Sequence, residues 1–156
     1  MPQSLTLFCR KATIDVFREV VTESLAPFGH LEWTESPEGW PIAIATSSSS
    51  QLTLNPLVFC EPGDKLSVMS LGAAAFARKI ETDHPAGREL AVEYSLNMQM
   101  AVGVVADPKI DPQAGHEDCL FSLASALDGV LFTGSGFLDQ HGELIIDVEG
   151  KSEYEV

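Results

Sequence analysis

The chain has 156 residues, 45% of them hydrophobic, which fits one domain with a core of its own and excludes a disordered chain. Its 23 acids against 9 bases leave a net charge of −14, and the densest basic spots are the pairs Arg10-Lys11 and Arg78-Lys79; nucleic acid and anionic membranes repel such a surface. No apolar run approaches the roughly 20 residues that span a bilayer. The start, "MPQSLTLFCRKATIDVF", also lacks the basic region and cleavage site of a signal peptide, so the chain reads as cytoplasmic. Cys9, Cys60 and Cys119 are odd in number and widely spaced, which suits small buried hydrophobes rather than a disulfide framework.

The first element is "SLTLFCR", residues 4–10, a strand pattern with Leu5, Leu7 and Cys9 alternating. A helix follows, with Thr13 as its cap, Asp15 in its first turn and Ile14, Phe17, Val21, Leu25 and Phe28 along one face. Pro27 and Gly29 end it. Residues 30–46 predict two strands around a turn at Ser36-Pro37-Glu38-Gly39. The serines 47–50 are too few for a linker and read as a loop or a frayed strand edge. "QLTLNPLVF" then alternates at Leu52 and Leu54, and its Pro56 suits an edge strand or a bulge.

A second helix is expected after Gly63, capped by Asp64, with Leu66, Met69, Ala73, Phe76 and Ile80 as its buried stripe. Residues 87–96 read as a further helix and 98–105 as a buried strand ended by Asp107-Pro108. Glu117 and Asp118 open the next helix, Leu120, Leu123 and Leu127 form its inner face, and Gly129 suits the left-handed position past its end. Residues 130–132 form a strand, 133–136 a loop and 137–147 a hairpin turning at Asp139–Gly142. The pattern is α+β: a single domain over residues 1–150, with a mixed or largely antiparallel sheet and two to four helices packed mainly on one face. Residues 151–156 are an acidic polar tail, and the whole end "DVEGKSEYEV", residues 147–156, reads as frayed rather than docked.

Chemistry-bearing motifs are few. A phosphate-cradling glycine loop must lead from a strand into a helix N-terminus, whereas Gly134-Ser135-Gly136 leads into a hairpin. His116 and Cys119 stand one helical turn apart, but no second pair of ligands exists to complete a structural zinc site, and acids in a first turn are ordinary helix chemistry. No catalytic residue, metal or cofactor is therefore assigned. His30, His84, His116 and His141 fall in loops or at element ends without a motif. Paired carboxylates such as Asp139 and Asp147 arise by chance in so acidic a chain.

The highest-ranked feature is "EWTESPEGW", residues 32–40. Trp33 and Trp40 flank a turn carrying Glu35 and Glu38, with Glu32 just before it. Tryptophans anchor binding hot spots, and carboxylates around them suit a basic partner. The competing reading is a hairpin whose tryptophans pack on the core or across strands. The partner-binding set is Trp33, Glu35, Glu38 and Trp40, and the expected function is a non-enzymatic interaction module, an inhibitor or neutraliser of a basic protein. The alternative is a small enzyme or small-molecule binder with its site in the 107–116 and 133–141 loops. A third reading is a homodimer formed through "MAVGVV" and the patch Gly72–Ala75.

Overall fold

The computed structural model describes residues 3–11, 13–48, 50–59, 68–107 and 116–154. Their elements are β1 (Gln3–Cys9), α1 (Ile14–Leu25), β2 (His30–Glu35), β3 (Pro41–Thr46), β4 (Gln51–Phe59), α2 (Val68–Arg78), α3 (Pro85–Leu96), β5 (Met100–Asp107), α4 (His116–Ala126), β6 (Gly129–Phe132), β7 (Gly136–Leu138) and β8 (Leu144–Asp147). The strands make one sheet in the order β2-β3-β4-β5-β1-β6-β7-β8, with every neighbouring pair antiparallel. This is the expected α+β class. No described helix is long and apolar enough to cross a membrane.

β1 shows why the helices divide between two layers. Successive side chains of a strand point to opposite faces. Leu5, Leu7 and Cys9 enter one apolar cluster, with Phe17, Val21 and Leu25 of α1 and Leu120, Leu123 and Ala124 of α4. Phe8 points the other way, into a second cluster with Ala74 and Ala77 of α2, Ala91 and Val92 of α3, and Val130, Phe137 and Ile146 of the sheet. Two helices thus cover each face, where packing mainly on one face was expected. The cause is the run of apolar residues on both sides of β1, β5 and β6: Met100, Ala101 and Val102 are all fully buried.

Local signals explain most boundaries. Thr13 is extended, and its Oγ1 accepts a hydrogen bond from the Val16 amide at 3.2 Å, capping α1. Phe17, Val21 and Leu25 at helical spacing are fully buried. Pro56 sits in an interior strand, and the ladder accommodates it through a register shift between Pro56 and Val58. Ser47 and Ser50 close a tight turn, the Ser47 amide donating to the Ser50 carbonyl at 2.9 Å. In α2 the fully enclosed positions are Ser70, Ala74 and Ala77, while Met69, Ala73 and Phe76 are half-buried, because α3 as well as the sheet packs along the helix. The expected cap Asp64 and the stripe residue Leu66 lie outside the described residues.

One glycine changes role. Asp128, not Gly129, holds the left-handed conformation after α4, with φ 51°. Gly129 already belongs to β6, and a Cβ there would meet the Phe8 carbonyl oxygen at 2.9 Å and the Cys9 sulfur at 3.2 Å. Its lack of a side chain lets β6 lie against β1.

The sheet's two ends differ. Beyond β8 the chain returns on itself: the Glu153 amide donates to the Leu144 carbonyl at 2.8 Å, the Leu144 amide to Glu153 Oε1 at 3.1 Å, and the Asp147 amide to the Lys151 carbonyl at 3.0 Å. Tyr154 completes the docking by donating its hydroxyl hydrogen to Asp139 Oδ2. Residues 151–154 are therefore a docked edge cover rather than the frayed tail expected, since backbone groups left open by β8 give them partners. At the other end, among the described residues, β2 has no strand beyond it.

Candidate functional site

Among the described residues, the end of the sheet without a further strand is the β2–β3 hairpin. Its turn is closed by the Ser36 amide donating to the Trp40 carbonyl at 2.9 Å, by the Gly39 amide donating to the Ser36 carbonyl at 2.9 Å, and by the Trp40 amide donating to Ser36 Oγ at 3.1 Å. Gly39 takes φ 82°, which a residue with a side chain rarely adopts. The hairpin register pairs Trp33 with Ala43 and Glu35 with Pro41, with no bulge.

The register also sorts the side chains. Leu31, Trp33 and Glu35 share the face of the buried Ala43 and Ala45, beneath α1, while His30, Glu32 and Thr34 share the opposite face with Ile42 and Ile44. Trp33 is half-buried: its ring meets Phe17 edge-on at 6.2 Å between centroids, and the Arg18 guanidinium lies 5.3 Å from the ring centre. It is part of the α1–sheet packing. Trp40 is half-buried at the end of the turn and belongs to neither apolar cluster. Glu35 and Glu38 are exposed, as is Glu32, whose Oε1 lies 3.4 Å from His30 Nε2. The four residues singled out in the sequence thus lie on one hairpin, Trp33 packed under α1 and Glu35 and Glu38 exposed.

Charge is distributed unevenly around this hairpin. None of the nine Lys and Arg residues falls between Glu19 and Asp64, the stretch that supplies β2, β3 and β4. Glu19, Glu23, Glu32, Glu35 and Glu38 all do. The face carrying Ile42 and Ile44 continues across the sheet to Leu57 and Val105, which are 42% and 40% exposed, and these four side chains enter neither core cluster.

Elsewhere many polar groups are tied into the fold, although Asn55 Oδ1 and His84 Nδ1 are buried without a hydrogen-bond partner. A dense constellation, which sequence reasoning missed, joins the end of β1 to α3, to the α4–β6 corner and to the β7–β8 turn. Arg10 donates from Nε to Asp128 Oδ2 at 3.0 Å and from Nη2 to Asp128 Oδ1 at 3.2 Å, and its guanidinium lies 3.9 Å from the Tyr94 ring centre. Tyr94 and Gln140 also donate to Asp128 Oδ1, each at 3.2 Å, while Arg10 Nη1 reaches Glu93 at 3.2 Å. Burial pushes the Asp128 pKa up, but the hydrogen bonds and charge of Arg10, with the Tyr94 hydroxyl and Lys11, outweigh it and hold the carboxyl below its ordinary value. Tyr94 is raised by burial and by the charge of Asp128. Arg10 is raised by its bond to Asp128. Burial, with the Asp128 charge adding, lifts the neighbouring Cys9 thiol to about 12. These contacts lock the end of β1 to α3, to the α4–β6 corner and to the β7–β8 turn.

The loops of the enzymatic alternative give little. Residues 108–115 lie outside the described residues, as do the side chains of His116, Glu117 and Asp118; Cys119 is buried. His141 is exposed, and its amide donates to Asp139 Oδ1 at 2.8 Å. Asp139 and Asp147 do not converge: each accepts backbone amides of its own turn. Thr133–Gly136 is a strand-to-strand turn closed by the Thr133 amide on the Gly136 carbonyl at 3.0 Å. An open cleft of about 500 Å³ lies between residues 81–84 and 149–151, where Thr82 Oγ1 donates to the Gly150 carbonyl. Among the described residues no three His, Cys, Asp or Glu side chains are placed to share a metal. "MAVGVV", suggested for a dimer, lies in β5 with both edges paired, to β4 and β1, so no edge of it is free for a second copy.

The geometry defines an α+β protein on an eight-stranded antiparallel sheet, bonded at its β8 end by its own chain and ending, among the described residues, at an acidic hairpin. No family model, no curated protein and no solved structure matches the chain.

Proposed function

We propose that the chain is a non-enzymatic cytosolic interaction module that takes up a basic region of another protein at the β2–β3 hairpin, as an inhibitor or neutraliser would. The observation that carries this reading is the cation-free stretch from Glu19 to Asp64, with the exposed Glu32, Glu35 and Glu38 on the hairpin that ends the described sheet. Such an acidic rim speeds encounter with a basic partner and rejects an acidic one. Trp33 contributes by holding the hairpin against α1, and Trp40 offers a half-buried apolar surface beside Glu38.

The test compares two triple charge reversals of equal net charge, using a ten-residue oligolysine as probe. Glu32→Lys/Glu35→Lys/Glu38→Lys weakens binding by about tenfold or more, the sum of three modest ion pairs. Asp83→Lys/Glu89→Lys/Glu143→Lys, at exposed positions far from the hairpin in sequence, changes it much less. Equal losses in titration calorimetry would mean that overall charge alone drives binding, and the hairpin would lose its role.

A further inference from the structure

We infer that the basic partner binds as an extended segment added to the β2 edge, forming a ninth strand; this rests on the hairpin being the site of basic-partner binding. The inference comes from how the two sheet edges are treated. An exposed edge presents unpaired N–H and C=O groups, and native proteins blunt it with lysine, proline, a bulge or a cover. The β8 edge has such a cover in residues 151–154, whose backbone and side chains bond Leu144 and Asp147. β2 reads HLEWTE: it has no lysine, no proline and no register shift, and among the described residues no strand pairs with its outer edge. Among the described residues, the edge device that β2 carries is charge, in Glu32 and Glu35.

Charge protection is selective. A second copy approaching with its own β2 brings like charges opposite one another and a net charge of −14 on each side. A segment carrying lysine or arginine meets the reverse. The side-chain pattern narrows the partner further. On the open face the added strand lies beside His30, Glu32 and Thr34, where a basic residue is favoured. On the helix face it lies beside Leu31 and Trp33, where the Arg18 guanidinium over the Trp33 ring repels a cation and the half-buried rims of both side chains favour an apolar residue, with Glu35 at the end of the strand accepting a cation there. The partner segment therefore alternates basic and apolar residues over about six positions, the length of β2, with main-chain bonds giving affinity and alternate side chains giving specificity.

The probe is an acetylated and amidated (Val-Lys)4 peptide, compared with the same peptide N-methylated on all valines and, separately, on all lysines. Methylation removes the donors along one edge of the strand and leaves charge unchanged. Strand addition predicts that the parent peptide slows amide exchange within His30–Glu35 and that at least one methylated peptide binds about tenfold or more weakly, the effect of losing two or three main-chain hydrogen bonds. If all three peptides bind alike, and the hairpin triple reversal still weakens each of them, the partner docks by charge without adding a strand: the inference fails and the proposed function stands. If the peptides bind the triple reversal as well as the native chain, the proposed function fails with it. If light scattering shows a dimer whose β2 amides are protected without peptide, the occupant of the edge is a second copy, and the inference is overturned.

Discussion

Asp128 holds φ 51°, a conformation in which most side chains clash with their own backbone and which Asp and Asn tolerate best. The residue thus serves two ends: it turns the chain out of α4, and it accepts from Arg10, Tyr94 and Gln140. Asp128→Asn keeps the backbone preference and removes the charge, so it is expected to cost about 1–2 kcal/mol in urea denaturation. Asp128→Leu adds backbone strain to that loss and is expected to cost more. Because the folded pKa of Asp128 lies below its ordinary 3.8, the stabilisation is complete at neutral pH and is lost as the pH falls through the folded value. The stability difference between native chain and Asp128→Asn is therefore constant from pH 7 to about 5 and shrinks below about pH 4, which denaturation at several pH values reads directly.

At the level of elements, the helix signals in the sequence were strong because each rests on local chemistry. Thr13→Ala removes the hydrogen bond to the Val16 amide and is expected to cost about 1 kcal/mol. Phe17→Ala opens a cavity against Trp33 and the sheet and is expected to cost about 3–4 kcal/mol, seen as a lower denaturation midpoint. The pairing of strands and the layering of helices were less legible. In β3 the small Ala43 and Ala45 are the buried residues and the larger Ile42 and Ile44 face outward, because α1 approaches the sheet closely at that strand. A hydrophobicity pattern alone points the isoleucines inward. The apolar character of β1 on both faces is visible in "LTLFC", yet only the sheet order shows that Phe8 needs the α2–α3 layer. The final residues misled for a related reason: their polarity suggests solvent, but their bonds go to an edge strand that sequence cannot place.

For the molecule as a whole, the acidic hairpin could be read from residues 32–40 because strand, turn and charge are all local there. The Arg10–Asp128–Tyr94–Gln140 lock could not, since it joins residues up to 118 positions apart in sequence and no motif marks it. Net charge adds a prediction at this scale. Binding of any basic probe should weaken steeply between low and physiological salt, because exposed charges are screened over about 8–10 Å, while the stability of the chain should change little or rise as self-repulsion falls. Titration calorimetry and thermal unfolding over the same salt series separate the two effects. The unequal ends of the sheet also bear on the size of what can be built. A β-structure grows without limit only when each added unit offers a fresh edge, as in fibrils. Here residues 151–154 occupy one margin, so a strand received at β2 finds no second vacancy at β8. Any growth past a strand added at β2 would therefore have to start from that strand's own outer edge, since among the described residues this chain offers one acceptor edge and not two.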